Sequence, residues 1–187
     1  YAFSTENWQR PSSEVIALFQ LIKLYLRRKV RELKAENVKI NFIGRRDQLP
    51  KPVTKEMINS ENETHGSTGL RLNIAIDYGG RDEILRVVNE LLEEERYQEG
   101  PLKKIDENYF KSYSDLKNQP DPDLIIRTGG EKRLSNFMLW HAAYSELDFV
   151  ETLWPDFDEQ QLANALDRFI KIDRRFGNII DTVDQLR

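Results

Sequence analysis

Apolar residues recur at Val15, Leu18, Phe19, Ile22, Leu26, Val30 and Leu33, a spacing that lays them along one face of a helix. Pro11-Ser12-Ser13-Glu14 starts that helix with a hydroxyl cap and an acid in the first turn. Lys23, Arg27, Arg28, Arg31 and Lys34 occupy the opposite face, and Asn37 ends the pattern. The period then falls to two. Val38, Ile40 and Phe42 alternate with Lys39 and Asn41, which predicts a strand ending at Gly44. Pro50 and Pro52 mark a loop, and Pro52 suits the first turn of a short helix through Met57 and Ile58. A turn at residues 65–69 leads to a strand carrying Leu70, Leu72, Ile74 and Ile76, broken by Tyr78-Gly79-Gly80-Arg81.

Helical spacing returns at Ile84, Val87, Val88, Leu91 and Leu92, followed by a charged surface connection over residues 93–101. Asp106 caps a short helix through Phe110 and Tyr113. Leu124-Ile125-Ile126 is a short apolar run suited to a fully buried strand. A helix is expected over residues 135–144, a last short strand over residues 147–150, and a final helix with Leu162, Ala165, Phe169 and Ile172 inward. Tyr1 and Phe3 alternate with small residues, like the tail of a strand, so the chain is expected to lack residues upstream, with an edge strand that starts here as the other reading. Strands alternate with helices and no period repeats. The expectation is a single α/β domain with a mostly parallel central sheet flanked by helices.

Composition narrows the chemistry. The 187 residues carry 28 basic and 32 acidic side chains, a net charge of −4. With a pI near 5.4, general nucleic-acid binding is not expected. The absence of cysteine removes disulfide scaffolds, thiolate zinc sites and cysteine nucleophiles. The best apolar stretch, residues 15–26, is interrupted by Gln20 and Lys23, short of the ~20 residues that span a bilayer. His65 and His141 lack metal-ligand spacing and are read as structural, and the Asn62-Glu63-Thr64 sequon is read as chance.

Ligands of parallel α/β sheets gather outside the carboxyl ends of strands. Three loops follow strands here. Ser4-Thr5-Glu6-Asn7-Trp8-Gln9-Arg10-Pro11 packs hydroxyls, a carboxylate, an amide, an indole and a guanidinium together; a polar capping turn is an equal reading on composition alone. Asp77-Tyr78-Gly79-Gly80-Arg81 could bring backbone N–H groups near an anion, yet it matches neither nucleotide-binding glycine motif, and relief of backbone constraint at a tight turn is the plainer reading. The strongest is Arg127-Thr128-Gly129-Gly130-Glu131-Lys132-Arg133-Leu134-Ser135-Asn136. Arg127 ends an apolar run, a costly place for a charge unless an anion or an acid pairs with it. Lys132 and Arg133 add cations, and the expected helix start at Ser135 favours negative charge. Together they describe a phosphate or diphosphate cradle, with an Arg127–Glu131 or Arg133–Glu131 salt bridge as the competing use of the same residues. Glu146, at a strand start, is by itself an ordinary solvated acid.

These segments, with Leu72-Asn73-Ile74-Ala75-Ile76, Trp140, Tyr144, Glu146-Leu147, Phe149, Leu153-Trp154-Pro155-Asp156-Phe157 and Arg174-Arg175-Phe176-Gly177, resemble the cis-prenyltransferase family, and within it the bacterial undecaprenyl diphosphate synthases. The likeness runs along essentially the whole chain in the family's order. It implies an α/β fold and a Mg2+-dependent transferase that condenses isopentenyl diphosphate onto an allylic prenyl diphosphate such as farnesyl diphosphate, giving long-chain cis-polyprenyl diphosphates for a cell-wall lipid carrier. It also implies a cytoplasmic homodimer in which residues 174–177 reach a neighbouring site, with peripheral membrane contact for product release.

Residue by residue, the resemblance implies that Ser4, Thr5, Glu6, Trp8 and Arg10 bind substrate. Asn7 falls at the position assigned to proton loss, as a positioning or relay group because an amide is a poor base. Arg127, Arg133, Leu134 and Ser135 hold isopentenyl diphosphate, and Glu146 is the metal ligand. The helix carrying Val15 to Leu33, with Ala2, Phe3 and the strand at residues 70–76, is expected to wall a tunnel for the growing chain, with an ordinary core helix packed on the sheet as the competing reading; both can hold for different residues. The sequence lacks the family's Met-Asp-Gly-Asn-Gly-Arg-Trp loop and its following helix, so the chain alone is expected to be inactive while its parent is an active enzyme. Two other readings are a non-catalytic partner subunit of a two-component prenyltransferase, which the intact Asn7 and Arg127 loops oppose, and a nucleotide-binding regulator.

Overall fold

A computed structural model describes residues 1–97 and 104–174. Arg175, Phe176, Gly177 and residues 98–101 of the charged connection lie outside the described residues. The chain divides into two compact units, residues 1–119 with 136–138, and residues 120–135 with those from 139 onward.

In the first unit, helix α1 (Ser12–Ala35) buries Val15, Phe19, Leu26 and Val30, while Leu18, Ile22 and Leu33 pack partly buried on the same cluster. This is the stripe that the helical period lays out. Asn37 ends it in the left-handed region, at φ 58, and its side-chain oxygen accepts the Thr68 N–H at 2.8 Å. Strands β1 (Phe3–Ser4), β2 (Lys39–Ile43) and β3 (Arg71–Tyr78) form a parallel sheet in the order β1-β3-β2. Helix α2 (Lys51–Thr64) makes the crossover that two parallel neighbours need. It runs past the expected end near Ile58 because Ser60 and Thr64 are buried, and the Thr64 hydroxyl accepts the Ile40 N–H at 3.0 Å. Of the Asn62-Glu63-Thr64 sequon, Thr64 is buried against the sheet and Asn62 is exposed. Helices α3 (Gly80–Tyr97) and α4 (Glu107–Tyr113) close a smaller cluster of Val87, Leu91 and Phe110.

The second unit holds strands β4 (Leu124–Thr128) and β5 (Glu146–Val150), paired in parallel, and helix α5 (Glu159–Ile170). All strand pairs among the described residues are parallel, as the α/β alternation predicts. Five expectations need correction. Pro11 stands at the N-cap of α1 with no side-chain cap hydrogen bond, so the expected hydroxyl cap does not form. Residues 93–97, expected in a surface connection, are the last turns of α3. β4 is not fully buried: Ile125 is buried and Ile126 only half so. No helix forms over residues 135–144, because Ser135, Asn136 and Met138 take φ values of 48, 63 and 47, on the wrong side for a right-handed helix. Along α5 only Ala165 is fully buried; Leu162 is exposed, and Ile172 is exposed beyond the helix end. No helix of the described residues is long and apolar enough to cross a membrane.

Candidate active site

β1 delivers the chain directly into a short 3-10 helix, Thr5–Gln9. Asn7 is fixed at its start: the Ser4 N–H donates to Asn7 Oδ1 at 2.8 Å, which identifies the oxygen and leaves the amide N–H2 facing away from that bond. Trp8 turns inward. Its ring meets Phe3 edge-on at 5.3 Å and Phe19 at a tilt, also 5.3 Å, and its indole N–H donates to Asp77 Oδ1 at 2.8 Å. The Trp8 ring is therefore part of the apolar cluster, in addition to any part it takes at the substrate end. Glu6 is exposed and accepts from Asn136 Nδ2 at 2.7 Å. Burial works to raise its carboxyl, but the hydrogen bonds from Asn136, its own backbone, Ser4 and Thr5 outweigh burial and hold it below the usual carboxylate range. Arg10 bridges to Glu14 at 2.7 Å with both side chains about half exposed, a pair of small energetic weight.

The first of the paired glycines after β3 serves close approach. A Cβ on Gly79 would lie 2.5 Å from Thr5 Oγ1 and 2.7 Å from Asn136 Nδ2. The Gly80 N–H donates to the Asn136 carbonyl at 2.6 Å, and the Arg81 N–H to Asn136 Oδ1 at 2.9 Å. Those two N–H groups are therefore occupied within the protein. Neither glycine takes a positive φ, and at Gly79 the reason is proximity rather than a relieved turn.

In the second unit, Arg127 stands near the carboxyl end of β4 and is half-buried. Its guanidinium donates to the Arg133 carbonyl and, at 2.7 Å, to Ser135 Oγ. Both partners are neutral, and no acid pairs with Arg127 among the described residues. Arg133 pairs with Glu131, so one of the two competing salt bridges exists; its side chains are 61% and 52% exposed. Gly129 and Gly130 take φ of 89 and 76, a turn that a side chain would strain, and their N–H groups donate to Thr152 O and Val150 O. Lys132 is exposed and Leu134 half-buried. The helix N-terminus expected at Ser135 does not exist, so Ser135 contributes its hydroxyl and not a helix dipole.

Glu146 opens β5 opposite Leu124, whereas Arg127 pairs with Phe149. The carboxylate thus stands three ladder positions before Arg127, about 10 Å along the strands. It is half-buried and makes no hydrogen bond or ion pair among the described residues. No group of three His, Asp or Glu that could hold a metal occurs among the described residues. His141 is buried, with Nδ1 2.8 Å from Asp121 Oδ1, which accounts for it structurally.

Arg127, Arg133 and Ser135 therefore come together in one unit, and Ser4, Thr5, Glu6, Asn7 and Trp8 in the other. Two residues carry these loops without standing out in the sequence. Asn136 ties down Glu6, Gly80 and Arg81, and Asp77 is wholly buried and holds Trp8. The one available signal for Asp77 is its charge at the end of an alternating apolar strand.

The comparisons with known proteins agree along the chain. The family model described as "Putative undecaprenyl diphosphate synthase" matches residues 1–177. The isoprenyl transferase of Aquifex pyrophilus is 48% identical over 181 residues, covering 97% of this chain and 76% of that protein. That of Clostridium tetani is 44% identical over 179 residues, 96% of this chain and 70% of its own length. Two solved structures are similar. A probable undecaprenyl diphosphate synthase from Campylobacter jejuni superimposes with a TM-score of 0.84 at 34% identity, covering 95% of this chain and 81% of that one. Lavandulyl diphosphate synthase from Lavandula x intermedia, in complex with dimethylallyl diphosphate, gives a TM-score of 0.91 at 30% identity, over 95% and 77%. With its strand order, its pinned Asn-Trp loop and its arginine-bearing glycine turn all occurring in a chain matched over residues 1–177, this protein belongs to the undecaprenyl diphosphate synthase family and is a cis-prenyltransferase.

Proposed function

We propose that the protein extends an allylic prenyl diphosphate, such as farnesyl diphosphate, with isopentenyl diphosphate units, forming a long-chain cis-polyprenyl diphosphate with Mg2+. The observation that carries this reading is Arg127: a half-buried guanidinium, aimed by two neutral acceptors and left without an acid among the described residues. Such a charge favours a bound anion, and a guanidinium suits two phosphate oxygens at once. Arg133 can join by leaving Glu131, an exposed pair worth at most about 1 kcal/mol. The named ligand of the Lavandula neighbour, an allylic diphosphate, supports the same substrate class.

In the reaction, the isopentenyl double bond forms a carbon–carbon bond to C1 of the allyl as the C1–O bond breaks. The diphosphate leaves with the electron pair, and the isopentenyl unit gives up a proton to water or to that diphosphate. Arg127, Arg133 and the Ser135 hydroxyl hold the isopentenyl diphosphate, with Leu134 beside them. Asn7, its oxygen taken by the Ser4 N–H, offers amide N–H2 as a donor, so it orients substrate or solvent and does not itself take the proton. Ser4 and Thr5 supply hydroxyls beside it, and Glu6 and Arg10 border the loop. Glu146 fits Mg2+ in donor type: a carboxylate without a partner among the described residues suits an ion that completes its shell with water and phosphate oxygens. When bound, Mg2+ would neutralise charge on the departing diphosphate. Partly buried Leu18 on α1 is the proposed tunnel-wall residue; Phe19 belongs to the core. The protein is proposed to work as a homodimer with peripheral membrane contact.

The test is turnover of radiolabelled isopentenyl diphosphate with farnesyl diphosphate by the full-length protein, with and without Mg2+. Metal-dependent polyprenyl products support the reading; hydrolysis or inertness with both substrates overturns it.

A further inference from the structure

We infer that Asp77 is a positioning residue for the Asn7 loop, acting through the indole of Trp8. The inference rests on the proposed role of Asn7. Asp77 carries two costs at once. Its side chain is wholly buried, and its backbone sits at φ 50, a region that Asp tolerates better than most residues but still adopts rarely. A charge removed from water is costly unless matched, and a well-packed apolar residue in its place often stabilises a protein more. Sheet stability alone therefore does not account for an acid at the end of β3.

The match is built from one side and used on the other. Arg45 reaches Asp77 Oδ2 from Nε at 3.4 Å, and its backbone N–H donates to the Asp77 carbonyl at 3.1 Å. Gly44 makes that approach feasible: at φ 102, a Cβ there would lie 2.2 Å from the Ile76 carbonyl. Arg45 is itself steadied by Asp82 at 3.2 Å, and Asp82 by Arg86 at 2.9 Å. The other oxygen, Oδ1, accepts the Trp8 indole N–H at 2.8 Å. Trp8 is then gripped at its rim by Asp77 and on its ring by Phe3 and Phe19. Asn7 is the preceding residue, with its amide oriented by Ser4. Fixing the indole fixes the peptide that carries Asn7, and misplacement of a catalytic group by about 1 Å can cost about 100-fold in rate.

The experiment compares Trp8→Phe, Asp77→Ala, Asp77→Asn and the double variant Trp8→Phe/Asp77→Ala in the full-length protein. Trp8→Phe removes the indole N–H while keeping an aromatic ring in the cluster. It is expected to lower kcat by about 10-fold or more, with KM for isopentenyl diphosphate nearly unchanged, and to lower the melting temperature while leaving the protein folded, because Asp77 Oδ1 loses a donor and the cluster loses volume. Asp77→Ala should do the same or worse, Asp77→Asn should recover most of that loss through its amide oxygen, and the double variant should be no slower than Asp77→Ala. Wild-type kcat in Trp8→Phe, or losses that multiply in the double variant, would overturn the inference. If Asp77→Ala fails to fold, Trp8→Phe and Asp77→Asn decide alone. A substrate-free arm separates this from failure of the functional reading: in 15N NMR spectra, the Asn7 side-chain amide resonances should shift in Trp8→Phe, and unmoved resonances refute the positioning whatever the substrate.

Discussion

Residues 4–10 and residues 127–135 carry the two halves of the proposed chemistry, and they are held in different ways. The first loop is pinned by side chains: Asn7 by Ser4, Trp8 by Asp77 and two aromatic rings, Glu6 by Asn136. The second is shaped by its backbone, through Gly129 and Gly130, while its cations stay half-buried or exposed and are held by neutral acceptors or one open salt bridge. A preorganised segment stabilises a transition state without reorganising at the moment of reaction. A loop with exchangeable partners can close on a diphosphate and release it. Damage to the first loop should therefore appear in kcat, and damage to the second in binding.

The largest expected effect tests the pinned side. Asn7→Ala should lower kcat by about 100-fold, the scale of removing one preorganised donor, with KM for isopentenyl diphosphate within about threefold. Steady-state kinetics check this, and a rise in KM at constant kcat would erase the contrast between the loops. Next, Glu146→Gln should raise the Mg2+ concentration for half-maximal turnover by about 10-fold or more, since even outer-shell changes weaken metal sites that far. An unchanged Mg2+ titration would remove Glu146 from the metal site. Leu18→Trp should shorten the polyprenyl products in a chain-length assay while leaving the first condensation intact; wild-type product length would exclude Leu18 from the tunnel wall.

How much of this contrast the sequence reveals depends on whether the cause is local. Helix α1 is legible because its period and its Asn37 stop are written within the segment itself. The cluster of Arg127, Arg133 and Ser135 is legible because a charge at the end of an apolar run demands a partner. The missing helix after Ser135 was not legible. Residues 135–144 include enough apolar side chains to suggest a helix, and none of the three left-handed positions is a glycine. Asp77 and Asn136 act through tertiary hydrogen bonds to residues 69 and 130 positions away, which no local pattern carries. Nor could spacing tell that Glu146 stands at the Leu124 end of its ladder, away from Arg127.

The smallest expected effect concerns Glu6. Its folded-state carboxyl lies below the ordinary value, so its ionised form favours the folded protein. That contribution is complete above the unfolded value of about 4.3 and is lost as pH falls through the lowered folded value. Thermal midpoints measured from neutral to acid pH should fall less steeply in Glu6→Gln than in wild type, and parallel curves would show that Asn136 does not sense the charge.

The central claim is that Arg127 waits for a diphosphate. Its most direct measurement is calorimetric titration of isopentenyl diphosphate into the full-length wild-type protein and into Arg127→Ala. A lost charge-assisted hydrogen-bonding group is worth about 1.5–3 kcal/mol, so the account predicts Kd weakened by about 10- to 150-fold with the fold intact. Equal affinity in the folded variant would contradict it.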